Sequence, residues 1–317
     1  MTVASQAIET LVDVGIPTFG EPRFLVETVE SVLRQTFTGW RLTISENGPG
    51  SAAVAAALEP YLSDSRVRYV TTGKNLGGAR NSTSLVQSGD APYVALLHDD
   101  DRWAPEFLER RLAFLEANPS CGLVFSSCEF IDDSGSVVHR FDVELEEGLQ
   151  ERKQFLRSLY MTNMICIPTV LVPRRTYEEV GPAFSDSVLF YDYELWLRIA
   201  SKFDVGFLDV VDASYRIHSA QTTHEIDLVV GEHRLALLDA VETILPPAVP
   251  PLHRRRARSG AHLRSAVEAY ELGERRRSAS HLARALKLYP VSFLDPKVVT
   301  LALGSIRRRA ILRRVWH

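Results

Sequence analysis

Three consecutive carboxylates, Asp99, Asp100 and Asp101, close the apolar part of the stretch Tyr93–Trp103, YVALLHDDDRW. Adjacent carboxylates repel one another and are best tolerated where a cation or water neutralises them. One chemistry open to the cluster is therefore the holding of a divalent ion. The other is a solvated acidic turn that caps a helix starting near Pro105, which turn and capping chemistry alone would allow. The preceding run, Val94-Ala95-Leu96-Leu97, is short and apolar, bounded by Asp90-Ala91-Pro92 and by Pro105. It reads as a buried strand. A buried parallel strand ending this way delivers its acids to the carboxyl edge of a sheet, where open α/β folds bind ligands. A further carboxylate, Asp192, stands at the N-terminal end of an apolar helical face formed by Leu195, Trp196, Ile199 and Ala200. His218 follows at the end of Tyr215-Arg216-Ile217.

The elements that would position these groups alternate. Leu11–Ile16 reads as a first strand ended by Pro17, and Glu21–Gln35 has apolar residues at helical spacing. Trp40–Ser45 is a second strand stopped by Glu46-Asn47-Gly48-Pro49. Ser51–Leu62 is a helix with Ser51 as N-cap, and Arg66–Val70 is a third strand. A glycine-bearing loop, Gly73–Gly78, leads into a helix reaching Gln87. After the acid cluster come a helix over Pro105–Ala117 and a strand over Gly122–Ser127. Such alternation argues for βαβ units and an α/β fold with a mostly parallel, Rossmann-like central sheet flanked by helices. Loops at one edge of that sheet converge. Pro17-Thr18-Phe19, Glu46-Asn47, Lys74-Asn75 and Asp99-Asp100 would then line a nucleotide-sized crevice. Further on, Asp132-Asp133-Ser134-Gly135 reads as a hairpin turn, Glu151–Tyr160 as a helix, Ile165–Val172 as β-like, and Val205–Val211 as a strand. Trp196 is expected in the core.

The composition is that of a globular chain, 45% hydrophobic and 24% charged over 317 residues. The three cysteines, Cys121, Cys128 and Cys166, lack the number and spacing of a disulfide framework or a zinc knuckle. There is no basic-then-apolar leader and no run of eighteen apolar residues, so the expected location is cytoplasmic. The net charge of −4 hides an asymmetry. From Pro250 onward 16 Lys and Arg face 4 Asp and Glu, a balance of +12, which leaves −16 on the part before it.

Five segments stand in the order and at the spacings of a known family: Ile16-Pro17-Thr18-Phe19, Gln35-Thr36-Phe37, Asn75-Leu76-Gly77-Gly78-Ala79-Arg80-Asn81, Leu97-His98-Asp99-Asp100-Asp101-Arg102-Trp103-Ala104-Pro105 and Asp192-Tyr193-Glu194-Leu195-Trp196-Leu197-Arg198. The chain resembles the family 2 inverting glycosyltransferases of GT-A fold over roughly Leu11 to Thr223. The resemblance implies a nucleotide-diphosphate sugar donor, UDP or dTDP, a divalent metal, Mg²⁺ or Mn²⁺, and a base that deprotonates an acceptor hydroxyl. Carried over by position, Pro17, Thr18 and Phe19 flank the nucleoside. Glu46 stands where the family has an Asp for the base imide. Asn75 and Arg80 lie near the base and diphosphate. Aligned on Trp103, the family's Asp-x-Asp falls on His98, Asp99 and Asp100. Asp100 becomes the metal ligand and Asp99 the ribose contact, while Asp101 would cap the next helix. His218 resembles a histidine near the phosphates or on the metal. Asp192 resembles the catalytic base, its other reading being a helix N-cap, with Glu194 as a lesser alternative. Glu46, His98 and Tyr191, which replaces the usual acid before the base, depart from the pattern.

Residues 1–225 would thus form a catalytic domain and 226–317 a helical, basic C-terminal region. Within it Ala261–Leu288 resembles one tetratricopeptide helix pair. Val298–Trp316 mixes arginines with apolar residues in a way that suits an amphipathic helix on an anionic membrane surface, or a helix packed on the acidic body. A membrane surface at the cytoplasmic face would suit a lipid-linked acceptor. No aromatic-interleaved basic motif supports nucleic-acid binding. Two other functions compete: a degenerate sugar-nucleotide or glycan-binding module, and a nucleotidyltransferase, for which Gly15–Arg23 lacks the glycine-rich basic loop.

Overall fold

Strand β1, Val12–Thr18, lies at the centre of the first sheet, between β2 (Trp40–Glu46) and β4 (Tyr93–Leu96), both parallel to it. The computed structural model describes residues 10–181, 183–185, 189–218, 230–242, 245, 249–296 and 298–299. β3, Val67–Thr71, continues the sheet beyond β2, and the short β9, Val172–Pro173, closes its other side antiparallel to β4, giving the order β3-β2-β1-β4-β9. The chain winds outward from β1 through β2 to β3 and then returns to the other flank of β1. The reversal between β1 and β4 is the switch point at which open parallel sheets leave a crevice at the strand ends. Both faces of these strands are covered, so they read as continuous apolar runs rather than alternating ones. Gly15 is required where α3, Gly78–Gln87, crosses β1: a Cβ there would stand 2.7 Å from Leu96 Cδ2 and 3.0 Å from Leu85 Cβ.

Pro17 does not end β1, which runs on to Thr18 in register with Glu46. Gly15 accepts the Leu97 N–H, so alternate residues of β1 turn their polar groups toward β4. Pairing with β4 stops at Gly15, so the amide hydrogen that Pro17 lacks has no partner to lose. Helix α1, Leu25–Leu33, packs under this sheet. α2, Ala52–Leu58, is capped as expected, the Ser51 hydroxyl accepting the Val54 N–H at 3.2 Å.

A second sheet is mixed. β10, Asp204–Arg216, runs parallel to β6, Cys121–Ile131, and antiparallel to β5, Arg102–Trp103, and β8, Gly148–Gln150. β7, Val137–Phe141, folds back on β6 through the Asp132–Gly135 turn, in which Asp132 Oδ1 accepts the N–H groups of Ser134 and Ser136. β10 is much longer than the expected Val205–Val211 strand and carries Arg216 to the acid cluster. α4, Phe107–Ala117, is bolted to it by Arg111 and Asp212, an ion pair at 2.9 Å with both side chains buried. Val124 and Leu171 form the bridge that joins the two sheets. Around it the expected β-like stretch Ile165–Val172 is instead a 3₁₀ turn, Ile167–Thr169, and the first residue of β9, Val172. Pro168 in this segment lacks the ladder N–H, which restricts pairing.

α5 (Arg152–Met161), α6 (Arg174–Val180) and α7 (Tyr191–Lys202) cover the second core, in which Trp196 is buried. Leu237, Leu238 and Val241 of α8 (Val230–Glu242) and Ala257 and Ala261 of α9 (Pro251–Glu271) belong to that same core. The helical region therefore packs on the catalytic part. The expected boundary at 225/226 lies outside the described residues, as do residues 300–317 of the expected amphipathic helix. α10, Arg275–Leu288, pairs antiparallel with α9. The hairpin is not filled as the tetratricopeptide resemblance implies. Its seam is closed by Leu263 against Ala285 together with small and polar residues, among them Ala266 and Ser259, while the buried Arg264–Glu268 pair faces α8 through the Gly231 N–H. Tyr270, Leu272, Leu282 and Leu286 are left outside.

Candidate active site

The crevice between β1 and β4 is floored by Thr18, whose Oγ1 donates to Asp99 Oδ2 across the switch point. The Phe19 N–H also donates to Asp99. Burial and then the neighbouring Asp100 push the Asp99 carboxyl up to about 7, against the pull of those donors. Thr18 and Asp99 are thus partners of each other and shape the loop. Phe19, 64% exposed, stands at its lip.

Asp100 meets His218: Nε2 and Oδ2 are 3.1 Å apart. The other ring nitrogen, Nδ1, is buried with no hydrogen-bond partner among the described residues. Asp101 does not cap α4, which carries Glu106 at its N-cap. It is fully buried, and its Oδ1 accepts the Arg216 N–H at 2.9 Å while Oδ2 has no partner. Burial and then Asp100 hold its carboxyl well above the usual carboxylate range. The packing of β10 beneath the loop overrides the local capping preference.

His98, Asp100 and Asp101 each offer a ligand atom, all within 4.8 Å of one another. His218 lies beside this set, bonded to Asp100 Oδ2 through Nε2. The Asp101 Oδ2, without a partner among the described residues, is a buried oxygen that a cation would satisfy. His98, Asp100 and Asp101 therefore fit a divalent ion, which adds His98 and Asp101 to the expected Asp100, while the expected His218 stands outside the converging set as a partner of Asp100.

Arg216 fixes this loop from behind, a role the sequence did not suggest. Its Nε donates to the Asp100 carbonyl at 2.8 Å, Nη1 to the Asp132 carbonyl at 2.9 Å, and Nη2 to Glu27. Its guanidinium also lies over the Phe24 ring, 4.3 Å from the centroid. The only hint available was an arginine two residues before a candidate ligand.

On the far side of β1, Glu46 is buried. Its Oε2 accepts the Ser51 N–H at 3.1 Å and the Tyr69 hydroxyl, which leaves Oε1 without a hydrogen-bond partner. Burial, then Glu46, raises the Tyr69 hydroxyl to about 12, so it stays a donor. Asn75 shapes the next loop. Its Oδ1 accepts from Asn47 Nδ2 at 3.0 Å and from the Gly77 N–H at 2.8 Å, and Asn47 in turn accepts the Leu76 N–H. Arg80 is exposed in the first turn of α3.

Asp192 is the second residue of α7, in its first turn, and Phe190 occupies the N-cap. The helix N-terminus favours the ionised carboxylate. Tyr191 brings the start of α7 against the start of α3, since a Cβ on Gly78 would lie 3.2 Å from its hydroxyl. Burial, then Asp192, raises that hydroxyl to about 12. Glu194, the alternative base, is buried and bound by Arg198 Nε and Nη2 at 2.7 and 2.9 Å, which makes it structural.

The model of glycosyl transferase family 2 matches residues 13–180, more than half of the chain. The chain belongs to glycosyl transferase family 2. It is a transferase enzyme of GT-A fold. Asp192 and His218 lie beyond the matched segment. Among curated relatives, the UDP-Glc:alpha-D-GlcNAc-diphosphoundecaprenol beta-1,3-glucosyltransferase WfgD of Escherichia coli is 25% identical over 65% of this chain and 77% of its own. Among solved structures, S. aureus TarS 1–349 in complex with UDP-GlcNAc superposes with a TM-score of 0.66 at 14% identity, covering 96% of this chain and 90% of that one. The mannosyltransferase PcManGT from Pyrobaculum calidifontis, in complex with GDP-Man and Mn²⁺, gives 0.59 at 15% identity over 97% and 83%. At these identities the structural likeness speaks for the fold.

Proposed function

We propose that this family 2 enzyme is a metal-dependent inverting glycosyltransferase that moves a sugar from a UDP or dTDP donor to a hydroxyl of a lipid-linked acceptor in polysaccharide assembly. The observation that carries the reading is the meeting of Asp100 and His218 at the β1/β4 switch point, beside the unpaired Oδ2 of Asp101. The name of the Escherichia coli relative, with its UDP-Glc donor and diphosphoundecaprenol acceptor, supports the uridine donor and the lipid-linked acceptor, and the Mn²⁺ beside GDP-Man in PcManGT supports the choice of metal.

In this reading Glu46 Oε1 accepts the imide N–H of the base, held in place by Tyr69 and the Ser51 N–H. Phe19, exposed just after Pro17 and Thr18, offers an aromatic face to the nucleoside. Arg80 and the first-turn amides of α3 face the diphosphate, since helix N-termini favour anions. His98, Asp100 and Asp101 hold the metal, with His218 as the partner of Asp100, and the nitrogen donor favours Mn²⁺ over Mg²⁺. When bound, the ion supplies charge neutralisation for the leaving diphosphate. Asp192 takes the acceptor hydroxyl proton as that oxygen bonds to the anomeric carbon and the carbon–diphosphate bond breaks. A single displacement of this kind inverts the anomeric centre.

The test is a thermal-shift panel of UDP, dTDP, GDP and CDP, each with and without Mn²⁺. A ligand at a hundred times its dissociation constant adds about 2.7 kcal/mol. Mn²⁺-dependent stabilisation by UDP or dTDP is expected. GDP alone shifting would reject the assignment of Glu46. No shift with any nucleotide would reject the catalytic reading in favour of a degenerate binding module.

A further inference from the structure

The α9–α10 hairpin carries two populations of cations. Arg256, Arg258 and Arg277 are paired, with Asp295, with Asp239 and Glu242, and with Glu232 and Glu274 respectively. Arg255, Arg275, Arg276, Arg284 and Lys287 are exposed and have no carboxylate partner among the described residues. Beside them lies exposed apolar surface. Leu282 and Leu286, four residues apart, share one face of α10. Ala279 and Ala283 fill the same arc, and Arg276 and Lys287 border it, with Arg284 further round the helix. Past the helix end, Val291, Phe293 and Leu294 continue the apolar surface, with Phe293 55% and Leu294 81% exposed. Leu252 is exposed at the same end of the hairpin, because α9 and α10 are antiparallel and Ser259 bonds Ser292 there.

We infer that this outer face of α10 and the 291–294 turn is a docking surface for an anionic lipid bilayer. A large apolar side chain that is mostly exposed loses free energy in water and gains it among acyl chains. Unpaired cations beside it gain from anionic headgroups. The chain beyond residue 299 adds Arg307, Arg308, Arg309, Arg313 and Arg314 and no acid, so the sign of the charge continues. A second copy of the chain fits less well. A two-fold contact sets the same patch against itself, and would bring these unpaired cations into opposition. The surface deepens the lipid-linked-acceptor reading, on which its purpose rests, but vesicle binding needs neither donor nor metal and can fail or succeed apart from it.

The experiment is flotation of the full chain with phosphatidylcholine vesicles and with vesicles containing phosphatidylglycerol, at low and high salt, without nucleotide. Binding confined to the anionic vesicles and weakened by salt is expected. Each cation removed should weaken it on the order of fivefold, so R276E, R284E and K287E together should weaken it at least on the order of a hundredfold. F293S with L294S should release the salt-resistant part. Nucleotide thermal shifts on the same variants report the intact fold, and if the serine pair lowers the melting temperature, the charge variant alone decides. The proposal is overturned by absence of binding, by equal binding to neutral vesicles, or by variants that bind as the parent does. A change in molecular mass by light scattering with no change in flotation would assign the face to a second copy and overturn it as well.

Discussion

Replacing Arg216 by lysine should loosen the acid loop at a stability cost that can be worked from its contacts. The guanidinium donates in three directions at once: to the Asp100 carbonyl, the Asp132 carbonyl and Glu27. A lysine ammonium on a flexible stem can replace one of these. Two part-buried carbonyls beside a side chain that is itself 1% exposed then compete for one donor. An unsatisfied buried acceptor costs about 1–3 kcal/mol. Glu27 is 37% exposed and can turn to water, so its share is small. The expected loss is about 1–2 kcal/mol in urea unfolding, the lower part of that range because the carbonyls are part-buried. The backbone N–H of residue 216 remains on Asp101 Oδ1, so the variant tests the guanidinium alone. Freed from Nε, the Asp100 carbonyl lets the 98–101 turn relax, and supporting groups of this kind typically account for 10–100-fold in metal affinity. Mn²⁺ titration followed by electron paramagnetic resonance should show a loss of about tenfold or more. A variant that loses stability yet binds Mn²⁺ within about twofold of the parent would show that Arg216 holds the fold and not the site.

Asp192→Asn should lower turnover by about 10²–10⁴, the usual span of general-base catalysis, while calorimetry finds nucleotide binding unchanged. Full activity would remove the assignment. Gly78→Ala would place a methyl 3.2 Å from the Tyr191 hydroxyl. Activity should fall several-fold and return when Tyr191→Phe is added, and an inactive double variant would deny the link between α3 and α7. His262 and His281 face each other through Nδ1 atoms 3.1 Å apart. Burial, then His281, holds His262 down at about 4, with Arg284 and Arg258 adding to the shift and Asp239 opposing it, while His281 is lowered by its own burial against the pull of Glu232. A histidine depressed in the folded state leaves the unfolded chain binding more protons below pH 6.5, so this stability is full above about 6.5 and lost as pH falls toward 4. Melting temperature measured from pH 7.5 to 5 should fall less in His262→Gln than in the parent, and parallel curves would refute the pairing.

The parallel strands and their converging loops were readable because a strand buried on both faces has a one-dimensional signature: an apolar run closed by turn residues. Ser51 could be read for the same reason, since a cap is a local event. The connections of Arg216 could not. Its partner Asp101 is 115 residues away, and nothing in the local pattern of either reports the other. Asp101 was assigned to a cap because the local rule was the only one in view, and burial by β10 overruled it. Glu46 looked like a plain substitution by a longer acid, but Tyr69, 23 residues on, engages one of its oxygens. The α9–α10 hairpin failed in the opposite way. Leu272, Leu282 and Leu286 have helical spacing, yet spacing alone does not tell which face of a helix is covered, and Leu263 with alanines and serines forms the seam instead.

Asp101 also bears on whether the departures at Glu46, His98 and Tyr191 mark a site that has lost its chemistry. A fully buried carboxylate with an oxygen lacking any partner, beside a second carboxylate, destabilises the fold. A chain without use for a cation would be more stable with a neutral isostere there. Asparagine keeps an oxygen for the Arg216 N–H and replaces the unpaired Oδ2 by a donor that faces Asp100. Asp101→Asn should therefore stabilise the protein in EDTA, by about 1–3 kcal/mol from the relieved desolvation of one buried polar group. In saturating Mn²⁺ the order should reverse, because the variant loses a charged ligand. Paired urea titrations, with chelator and with Mn²⁺, measure both. If the asparagine variant is less stable in EDTA, the carboxylate is held by the fold alone and no longer argues for an ion. If it is more stable in EDTA and not in Mn²⁺, the strain in the free protein belongs to a retained metal site, and the three departures are adjustments around working chemistry.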